Sequence, residues 1–207
     1  MSNRRVVALD TESVGLGPGN WGAVAQVSMV DLDSGKNYNA YIRRQGITDY
    51  RTEFSGLTPQ VLQAKGRNFN DVKNEVLDWI RDAIVVGHSI HHDLRGLGIV
   101  VRQEDIRDTS KYWQFTQANN GKTPSLAFLA QRFLNKTLRR NGRHSCMEDA
   151  QTTMQLYRLV ADSWEAELNN CYSSEESESE EEYNESETSS SSDDDYYYGY
   201  YNNIITS

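Results

Sequence analysis

The first apolar segment of the chain, residues 5–9, is followed directly by Asp10, Thr11 and Glu12. A run of aliphatic residues this short predicts a largely buried strand. In an extended backbone residues i and i+2 project from the same face, so the carboxylates of Asp10 and Glu12 are expected side by side at the end of that strand. Such a pair either binds cations or remains a solvated turn, and the motif alone does not decide between them.

Segments with the period of a strand come first in the chain, and helical and strand-like segments alternate after them. Residues 24–31 and 36–42 predict two strands joined by a turn, which form an antiparallel meander with the first strand, while residues 15–19 predict a loop. Helical patterns cover residues 59–64, 70–82, 126–134 and 146–164, a further helix begins near residue 91, and short strands at 84–86 and 106–108 lie between them. This order predicts an α/β sandwich with a mixed central sheet flanked by helices.

Charge divides the chain into two parts. All 21 lysines and arginines lie at or before Arg158, together with 16 of the 30 acids, so residues 1–158 carry a formal charge of +5 and residues 159–207 carry −14. A mildly basic body suits a polyanionic partner, although an ordinary mixed surface explains the charge equally well. Beyond residue 170 the chain is rich in serine, acids, asparagine and tyrosine, which predicts a disordered acidic tail. We therefore expect one domain at residues 1–165 and a tail at residues 166–207.

The cysteines and the apolar runs bear on location. The chain has two cysteines, Cys146 and Cys171, which form no disulfide framework and favour a reducing compartment. No apolar run approaches the roughly 18 residues of a membrane span, and no signal-peptide core is evident. We expect an intracellular protein, nuclear, nucleolar or cytoplasmic, that is not secreted and has no membrane partner.

Two later segments supply further acids. Asp93 lies just beyond the strand predicted at residues 84–86, and Asp149 lies at the start of the last helical pattern. Ser145 and Glu148 have the spacing of a capping box, so the helix is expected to begin at residue 146 and to leave His144 on the preceding loop. The alternative is that these acids only stabilise the positive end of the helix, which is our interpretation of Glu148.

The histidines next to Asp93 raise the alternative of a zinc site. His88, His91 and His92 lie within six residues of one another. Zinc sites usually include a second, distant pair of Cys or His ligands, and His144 is the only other histidine in the chain. We therefore assign His88 a structural role at the strand end, and His91 and His92 a solvated or substrate-adjacent one.

Asp10, Glu12, Asp93, His144 and Asp149 form, in this order, the residue set of the DEDDh 3′→5′ exonucleases. The chain resembles the branch of that family which contains the interferon-stimulated 20 kDa exonuclease and the RNA exonuclease 4 group. The resemblance extends over roughly residues 5–160. Its other matching segments are Val14-Gly15-Leu16-Gly17-Pro18, Ile47-Thr48-Asp49-Tyr50-Arg51-Thr52, Ser55-Gly56-Leu57-Thr58-Pro59, Val85-Val86-Gly87-His88 and the residues from His144-Ser145 to Glu148-Asp149-Ala150.

The resemblance implies a ribonuclease H-like fold and a site for two divalent cations, Mg²⁺ or Mn²⁺. It assigns the metal ligands to Asp10, Glu12, Asp93 and Asp149, with Asp10 bridging both ions. Four acids suit such hard cations, and a two-metal site can activate water, neutralise the phosphate and stabilise the departing oxygen. His144 would be the general base, since an ordinary imidazole pKa of about 6.5 allows it to accept a proton at neutral pH.

Substrate contacts follow less directly from the sequence. Arg51 lies in a segment that is close to the terminal nucleotide in the resembling branch, and it is either a substrate contact or a surface arginine. This branch typically has Asp-Cys-Glu-Met where this chain has Asp10-Thr11-Glu12-Ser13, so Ser13 replaces a long apolar contact with a short hydroxyl. Trp113 and Phe115 either stack on bases or belong to the core.

We therefore predict a metal-dependent 3′→5′ exonuclease that hydrolyses single-stranded RNA to nucleoside 5′-monophosphates. Single-stranded DNA is expected to be a poorer substrate of the same chemistry. The alternative is a non-catalytic platform that binds nucleic acid, or that binds basic proteins through the acidic tail.

Overall fold

The computed structural model describes residues 4–138 and 142–182, with residues 171–182 described as backbone only. Within these residues seven strands form one mixed sheet. The strands are β1 (Val6–Leu16), β2 (Trp21–Asp31), β3 (Asn37–Ile42), β4 (Ile47–Asp49), β5 (Gly66–Arg67), β6 (Ile84–Gly87) and β7 (Ile106–Asp108).

The sheet has the order β5-β3-β2-β1-β6-β7, and β4 pairs with the far end of β1. β1, β2 and β3 form the predicted antiparallel meander, whereas β6 pairs parallel to β1 and β7 parallel to β6. The mixed sheet flanked by helices is therefore confirmed. β1 occupies a central position, so side chains on it have neighbouring strands on both sides.

The helices connect and cover these strands. Their bounds are α1 (Thr52–Ser55), α2 (Pro59–Lys65), α3 (Phe69–Ile80), α4 (His91–Leu97), α5 (Trp113–Ala118), α6 (Leu126–Leu134) and α7 (Cys146–Glu182), with a 3₁₀ turn at Gln103–Asp105. The helices expected at residues 59–64, 70–82, 91 onward and 126–134 are confirmed to within a few residues. Local capping explains several starts: the Thr58 hydroxyl accepts the Val61 N–H at 3.2 Å, and the Ser125 hydroxyl accepts the Phe128 N–H at 3.2 Å.

The core joins the central strands to the helices beside them. Val7 and Leu9 of β1 are almost completely buried, in one cluster with residues of β2, α3 and α4. This cluster includes Val27, Met29, Val72, Val76, Leu94 and Leu97. Apolar residues of α7 are buried as well, including Ala150, Met154 and Tyr157. Burial of this kind stabilises the sheet and the helix starts that carry the polar side chains described below.

β1 is longer than the sequence predicts. We expected the strand to end before Asp10 and residues 15–19 to be a loop, but β1 continues to Leu16 and only the residues after it form the turn into β2. Its second half is held by pairing with both β2 and β4, and its register shifts between Glu12 and Ser13. Both acids therefore lie within a central strand, next to a β-bulge, rather than beyond the end of one.

The chain divides into two units, residues 1–161 and residues 162–207. In the second unit the described residues are helical, because α7 continues to Glu182 instead of ending near residue 164. The disordered tail expected at residues 166–207 stays a prediction. Each residue that is added to an existing helix forms one further backbone hydrogen bond. Alanine, leucine and glutamate also have high helix propensity, so they favour extension of α7. The rest of the predicted tail, residues 183–207, lies outside the described residues.

Among the residues that the structure describes, no helix is long and apolar enough to cross a membrane.

Candidate active site

Asp10 and Glu12 lie in the middle of the sheet, on β1. β6 pairs with β1 only as far as Ala8, so Asp10 lies just beyond the end of this parallel ladder. On the other side Asp10 is opposite Ser28 of β2. The Cys146 thiol donates a hydrogen bond to the Asp10 carbonyl at 3.1 Å, which joins the first turn of α7 to β1.

Asp93 lies in the first turn of α4, at the point where the chain leaves β6. Its side chain is 9% exposed, and the Thr11 hydroxyl donates a hydrogen bond to Asp93 Oδ1 at 2.6 Å. Burial raises the pKa of Asp93 to about 7, although the hydrogen bonds from Thr11 lower it. β1 and α4 are thus linked through the residue between the two acids of β1.

His144 and Asp149 lie at the start of α7. The Ser145 hydroxyl accepts the Glu148 N–H at 3.3 Å, so the helix is capped as the sequence predicts and His144 lies on the loop before it. His144 Nδ1 is 3.4 Å from Asp149 Oδ2, and Asp149 is 4% exposed. One ligand atom from each of Glu12, His144 and Asp149 lies within 4.8 Å of the others, which brings β1 and α7 into a single cluster.

The four acids share one electrostatic environment. The pKa of Asp10 is raised well above its ordinary value, first by burial and then by the negative charges of Asp93, Asp149 and Glu12. Carboxylates placed this close repel one another, and a divalent cation relieves that repulsion. An all-oxygen carboxylate set is also what Mg²⁺ and Mn²⁺ prefer, so these residues fit the predicted cations.

The structure gives His88 the place expected for a structural residue. Its Nδ1 lies 3.0 Å from the Thr109 hydroxyl and its Nε2 lies 3.1 Å from the Pro124 carbonyl. These contacts tie the end of β6 to the loop before α6. They engage both ring nitrogens with protein atoms, which argues against a zinc site here.

Two cavities flank the acids. The first, of about 360 Å³, contains both predicted substrate residues, Ser13 and Arg51. The second, of about 430 Å³, lies on the side of His144 and Asp149. The first is lined by Thr11, Glu12, Ser13, Arg51, Phe54, Ser55, His92 and Asp93. The second is lined by Asp10, His88, Ser89, Thr123, Pro124, Ser125, Leu126, His144 and Asp149.

Arg51 has an unusual backbone conformation at the edge of the first cavity. Its φ of 51° lies in the left-handed region, which a residue with a Cβ rarely adopts. The strained turn is held by the Arg51 N–H, which donates to Asp49 Oδ1 at 2.8 Å. The guanidinium donates to the Asn20 carbonyl at 3.0 Å and so reaches the hairpin between β1 and β2.

Of the two aromatic residues for which base stacking or a core position was left open, the structure decides one. Phe115 is fully buried and packs edge-on against Phe133, so it belongs to the core. Trp113 is 52% exposed but lines neither cavity. The aromatic residue at the site is Phe54, which is 64% exposed and lines the first cavity. The one signal for it was its position between the matching segments at residues 47–52 and 55–59.

A buried acid behind the site was also missed. Asp108, at the end of β7, accepts hydrogen bonds through Oδ1 from the Ser89 N–H at 2.8 Å and the Ser110 hydroxyl at 2.7 Å. Ser89 has a φ of 61°, so Asp108 holds the tight turn between β6 and α4. Its charge also contributes to the raised pKa of Asp93. Its separation from the other acids in sequence hid this role.

A mixed sheet with acids on its central strand and on the first turns of two flanking helices defines a ribonuclease H-like nuclease fold. The chain belongs to the exonuclease family, whose model matches residues 7–157. The family membership predicted from the sequence is thereby confirmed.

Several relatives support this assignment. The chain is 36% identical over 171 residues to RNA exonuclease 4 of Gibberella zeae, which covers 82% of this chain and 53% of the relative. It is 36% identical over 164 residues to RNA exonuclease 4 of Homo sapiens, which covers 78% of this chain and 38% of the relative. The chain thus spans about half the length, or less, of these curated relatives.

Solved structures agree. The chain is similar to the Pan2 catalytic unit of Neurospora crassa, which comprises protease and nuclease domains. The identity is 29% and the TM-score 0.66, and the match covers 81% of this chain and 29% of that one. It is also similar to the apo Pan2 pseudoubiquitin hydrolase-RNA exonuclease module of Saccharomyces cerevisiae in complex with AAGGAA RNA. In that case the identity is 25% and the TM-score 0.66, with coverage of 84% of this chain and 32% of that one.

Proposed function

We propose that this protein is a metal-dependent 3′→5′ exonuclease that hydrolyses single-stranded RNA, and DNA less well, to nucleoside 5′-monophosphates. The observation that carries the proposal is the convergence of four carboxyl groups and one imidazole, from β1, α4 and the start of α7, between two cavities. The names of the relatives, RNA exonuclease 4, support RNA as the substrate class.

Asp10, Glu12, Asp93 and Asp149 would hold two Mg²⁺ or Mn²⁺ ions. When bound, such ions lower the pKa of the attacking water and neutralise charge on the phosphate. The fit rests on the all-carboxylate donor set and on the raised pKa of Asp10 and Asp93, which shows how unfavourable these charges are without a positive partner.

His144 would accept the proton of the attacking water. The water oxygen forms a bond to the terminal phosphorus, and the bond from that phosphorus to the 3′ oxygen of the preceding nucleotide breaks. The 3′ oxygen keeps the electron pair and takes a proton from solvent to become the new 3′ hydroxyl of the RNA, and a nucleoside 5′-monophosphate leaves. Asp149, 3.4 Å from His144 Nδ1, favours the imidazolium that this transfer produces. His144 is on a loop rather than in the helix, so its side chain can approach and leave the reacting water.

The first cavity would hold the 3′-terminal nucleoside. It has the size of a small-ligand pocket and brings Ser13 and Arg51 next to Glu12 and Asp93. The Arg51 guanidinium carries more donors than its bond to the Asn20 carbonyl requires, and the Ser13 hydroxyl can bond a ribose hydroxyl. A chain that enters this cavity by its 3′ end presents its last phosphodiester to the acids, which accounts for the direction of degradation.

The test is incubation of the full chain with 5′-labelled single-stranded RNA and Mn²⁺ or Mg²⁺. We expect a ladder that shortens from the 3′ end, release of nucleoside 5′-monophosphates, and complete loss of activity with a chelator. Asp10→Asn should abolish turnover, and His144→Ala should reduce the rate by about 10² to 10⁴, the usual size of a general acid–base contribution.

Asp33→Asn is the matched control, because this exposed acid lies in the turn between β2 and β3. It should leave the rate unchanged. Near wild-type activity of Asp10→Asn on the same RNA would overturn the assignment of the site, and internal cleavage products would overturn the exonucleolytic direction.

A further inference from the structure

The second cavity, of about 430 Å³, lies on the side of the acids that the terminal nucleoside does not occupy. Asp10, His144 and Asp149 line it, so it adjoins the reacting groups directly. With the terminal nucleoside in the first cavity, the phosphodiester that is cleaved lies at the acids between the two. The RNA strand that continues in the 5′ direction must therefore leave through the second cavity. The first part of that strand to enter it is the penultimate nucleotide, whose 3′ oxygen is the one that departs.

Four consecutive residues before and at the start of α6 form an uncharged part of this cavity's wall. They are Thr123, Pro124, Ser125 and Leu126, which supply two hydroxyl groups beside apolar surface. None of the residues that line the cavity is a lysine or an arginine, so the wall is poorly suited to a phosphate. Hydroxyl groups next to apolar surface match a sugar, which presents hydroxyls and C–H groups. The wall therefore suits the ribose of the penultimate nucleotide.

The loop before α6 holds Thr123 in place through its backbone. The Asn119 side-chain amide donates to the Lys122 and Thr123 carbonyls, both at 3.2 Å. His88 Nε2 lies 3.1 Å from the carbonyl of the next residue, Pro124. The Thr123 side chain is nevertheless exposed, and its hydroxyl has no hydrogen-bond partner among the residues that the structure describes. A hydroxyl on a fixed backbone binds a ligand at a smaller loss of conformational freedom than one on a mobile loop.

The second hydroxyl of this wall is already in use, since Ser125 accepts the Phe128 N–H at 3.2 Å and caps α6. We propose that the second cavity binds the ribose of the penultimate nucleotide and that the Thr123 hydroxyl bonds its 2′-hydroxyl. A threonine hydroxyl and a ribose hydroxyl can each donate and accept, and DNA lacks the 2′ partner. The inference rests on the exonuclease function proposed above and extends it, because RNA is then recognised at two sugars.

The position of this 2′-hydroxyl in the substrate connects the contact to the reaction. In the penultimate ribose the 2′ carbon is bonded to the 3′ carbon whose oxygen departs. In the terminal ribose the 2′-hydroxyl is several bonds further from the phosphorus, which is attached through the 5′ oxygen. A hydrogen bond from Thr123 therefore orients the departing oxygen as well as binding the sugar, so its loss should lower kcat as well as raise KM.

The experiment removes one sugar hydroxyl and one threonine hydroxyl, separately and together. The full chain is given single-stranded RNA that is all ribose, or that is 2′-deoxy at only the penultimate or only the terminal nucleotide. Release of the first nucleotide with Mg²⁺ gives kcat and KM, and fluorescence anisotropy with Ca²⁺ in place of Mg²⁺ gives the affinity. Thr123→Val removes the hydroxyl at nearly constant shape, and Thr123→Ser keeps it. Thr137→Val is the matched control, because Thr137 is exposed and lines neither cavity.

For the wild type we expect the penultimate 2′-deoxy sugar to lower kcat/KM by about three- to tenfold, the usual size of one neutral hydrogen bond. Thr123→Val should lose the same factor on all-ribose RNA and nothing further on the penultimate 2′-deoxy RNA. It should keep the wild-type response to the terminal 2′-deoxy sugar, which lies in the first cavity. Thr123→Ser and Thr137→Val should match the wild type. Melting temperatures should stay equal, because the Thr123 side chain is exposed.

Equal kcat/KM of the wild type on all-ribose and penultimate 2′-deoxy RNA would overturn the proposal. An equal loss for Thr123→Val on these two substrates would also overturn it, because the threonine hydroxyl would then not act on that sugar. A loss confined to KM would remove the link to the departing oxygen.

The affinities measured with Ca²⁺ separate this proposal from the exonuclease function. A protein that cleaves none of the substrates would refute the proposed function. If it still bound all-ribose RNA more tightly than penultimate 2′-deoxy RNA, and Thr123→Val abolished the difference, the sugar contact would be supported. Without that difference in affinity the sugar contact would be refuted as well.

Discussion

At Asp93, burial raises the pKa of a carboxyl group from its ordinary 3.8 to about 7. Between about pH 4 and pH 7 the Asp93 carboxyl of the folded protein therefore keeps a proton that the same group in the unfolded chain has released. The folded state binds more protons in this window, so the contribution of Asp93 to stability is retained below pH 4 and lost as the pH rises towards 7.

This linkage gives a prediction for Asp93→Asn. In a chelating buffer we compare how the melting temperature changes from pH 4.5 to pH 7 in the two proteins. We expect this change to be more negative, or less positive, in the wild type than in the Asp93→Asn variant. Mn²⁺ should raise the melting temperature of the wild type more at pH 7 than at pH 5, because it binds the ionised site. The measurement is thermal unfolding against pH with Asp33→Asn as the control, and the same slope in Asp93→Asn as in wild type would contradict the prediction.

Sugar selectivity also belongs to single residues. A neutral hydrogen bond contributes about 0.5 to 1.5 kcal/mol, so a ribose 2′-hydroxyl bonded by Ser13 or Arg51 should favour RNA over DNA by roughly a factor of ten. Ser13→Met should add apolar packing and raise the affinity for RNA, while Arg51→Ala should reduce the preference. The measurement is kcat/KM on matched RNA and DNA oligonucleotides, and a wild-type enzyme that degrades DNA faster than RNA would refute the RNA assignment.

At the scale of elements, the site depends on the turn between β6 and α4. A Cβ on Gly87 would lie 2.4 Å from Ile90 Cβ, and Ile90 is fully buried. We expect Gly87→Ala to destabilise the fold by about 1 to 3 kcal/mol, the usual result of overpacking, and to reduce activity further by displacing Asp93 at the start of α4. In Gly22→Ala the new Cβ meets nothing closer than 3.7 Å, so this variant is the stability control. Denaturant unfolding and RNA hydrolysis check both effects, and a Gly87→Ala variant as stable and active as wild type would contradict them.

Elements with a clear hydrophobic period were predictable from the sequence, and several of the short elements without one were not. α3 and α6 each extend over more than two turns with an apolar face, and the meander alternates clearly, so these were found. α1 and α5 are too short to show a period, and β4 and β5 contain only three and two residues. Their positions depend on contacts with distant parts of the chain, such as the Phe54 carbonyl with His144, which no local pattern records.

The same reasoning explains what was predictable of the site. Asp10, Glu12, Asp93, His144 and Asp149 match in order the residue set of the DEDDh exonucleases, so the resemblance implied that they approach one another. Phe54 and Asp108 lie in short or weakly patterned elements, and their nearness to the site depends on tertiary packing.

For the whole molecule, the division of charge has a consequence for RNA binding. Residues 171–207 contain eleven acids and no lysine or arginine, so removing them changes the formal charge from −9 to +2. Polyanion binding is driven by release of counterions, and a tethered acidic segment competes with RNA for the same basic surface. We therefore expect a chain that ends at residue 170 to bind single-stranded RNA more tightly than the full chain at low salt.

Salt and a charge-neutral tail test whether this effect is electrostatic. The difference in affinity should shrink as the ionic strength rises from about 0.01 M to about 0.3 M, since the Debye length falls severalfold over that range. A full-length variant with every tail acid changed to its amide, Asp to Asn and Glu to Gln, should behave like the truncated chain, because it keeps the length and loses only the charge. Equal affinities of the full and truncated chains at low ionic strength would rule out competition by the tail, and a truncation effect that the neutral tail did not reproduce would assign it to excluded volume instead.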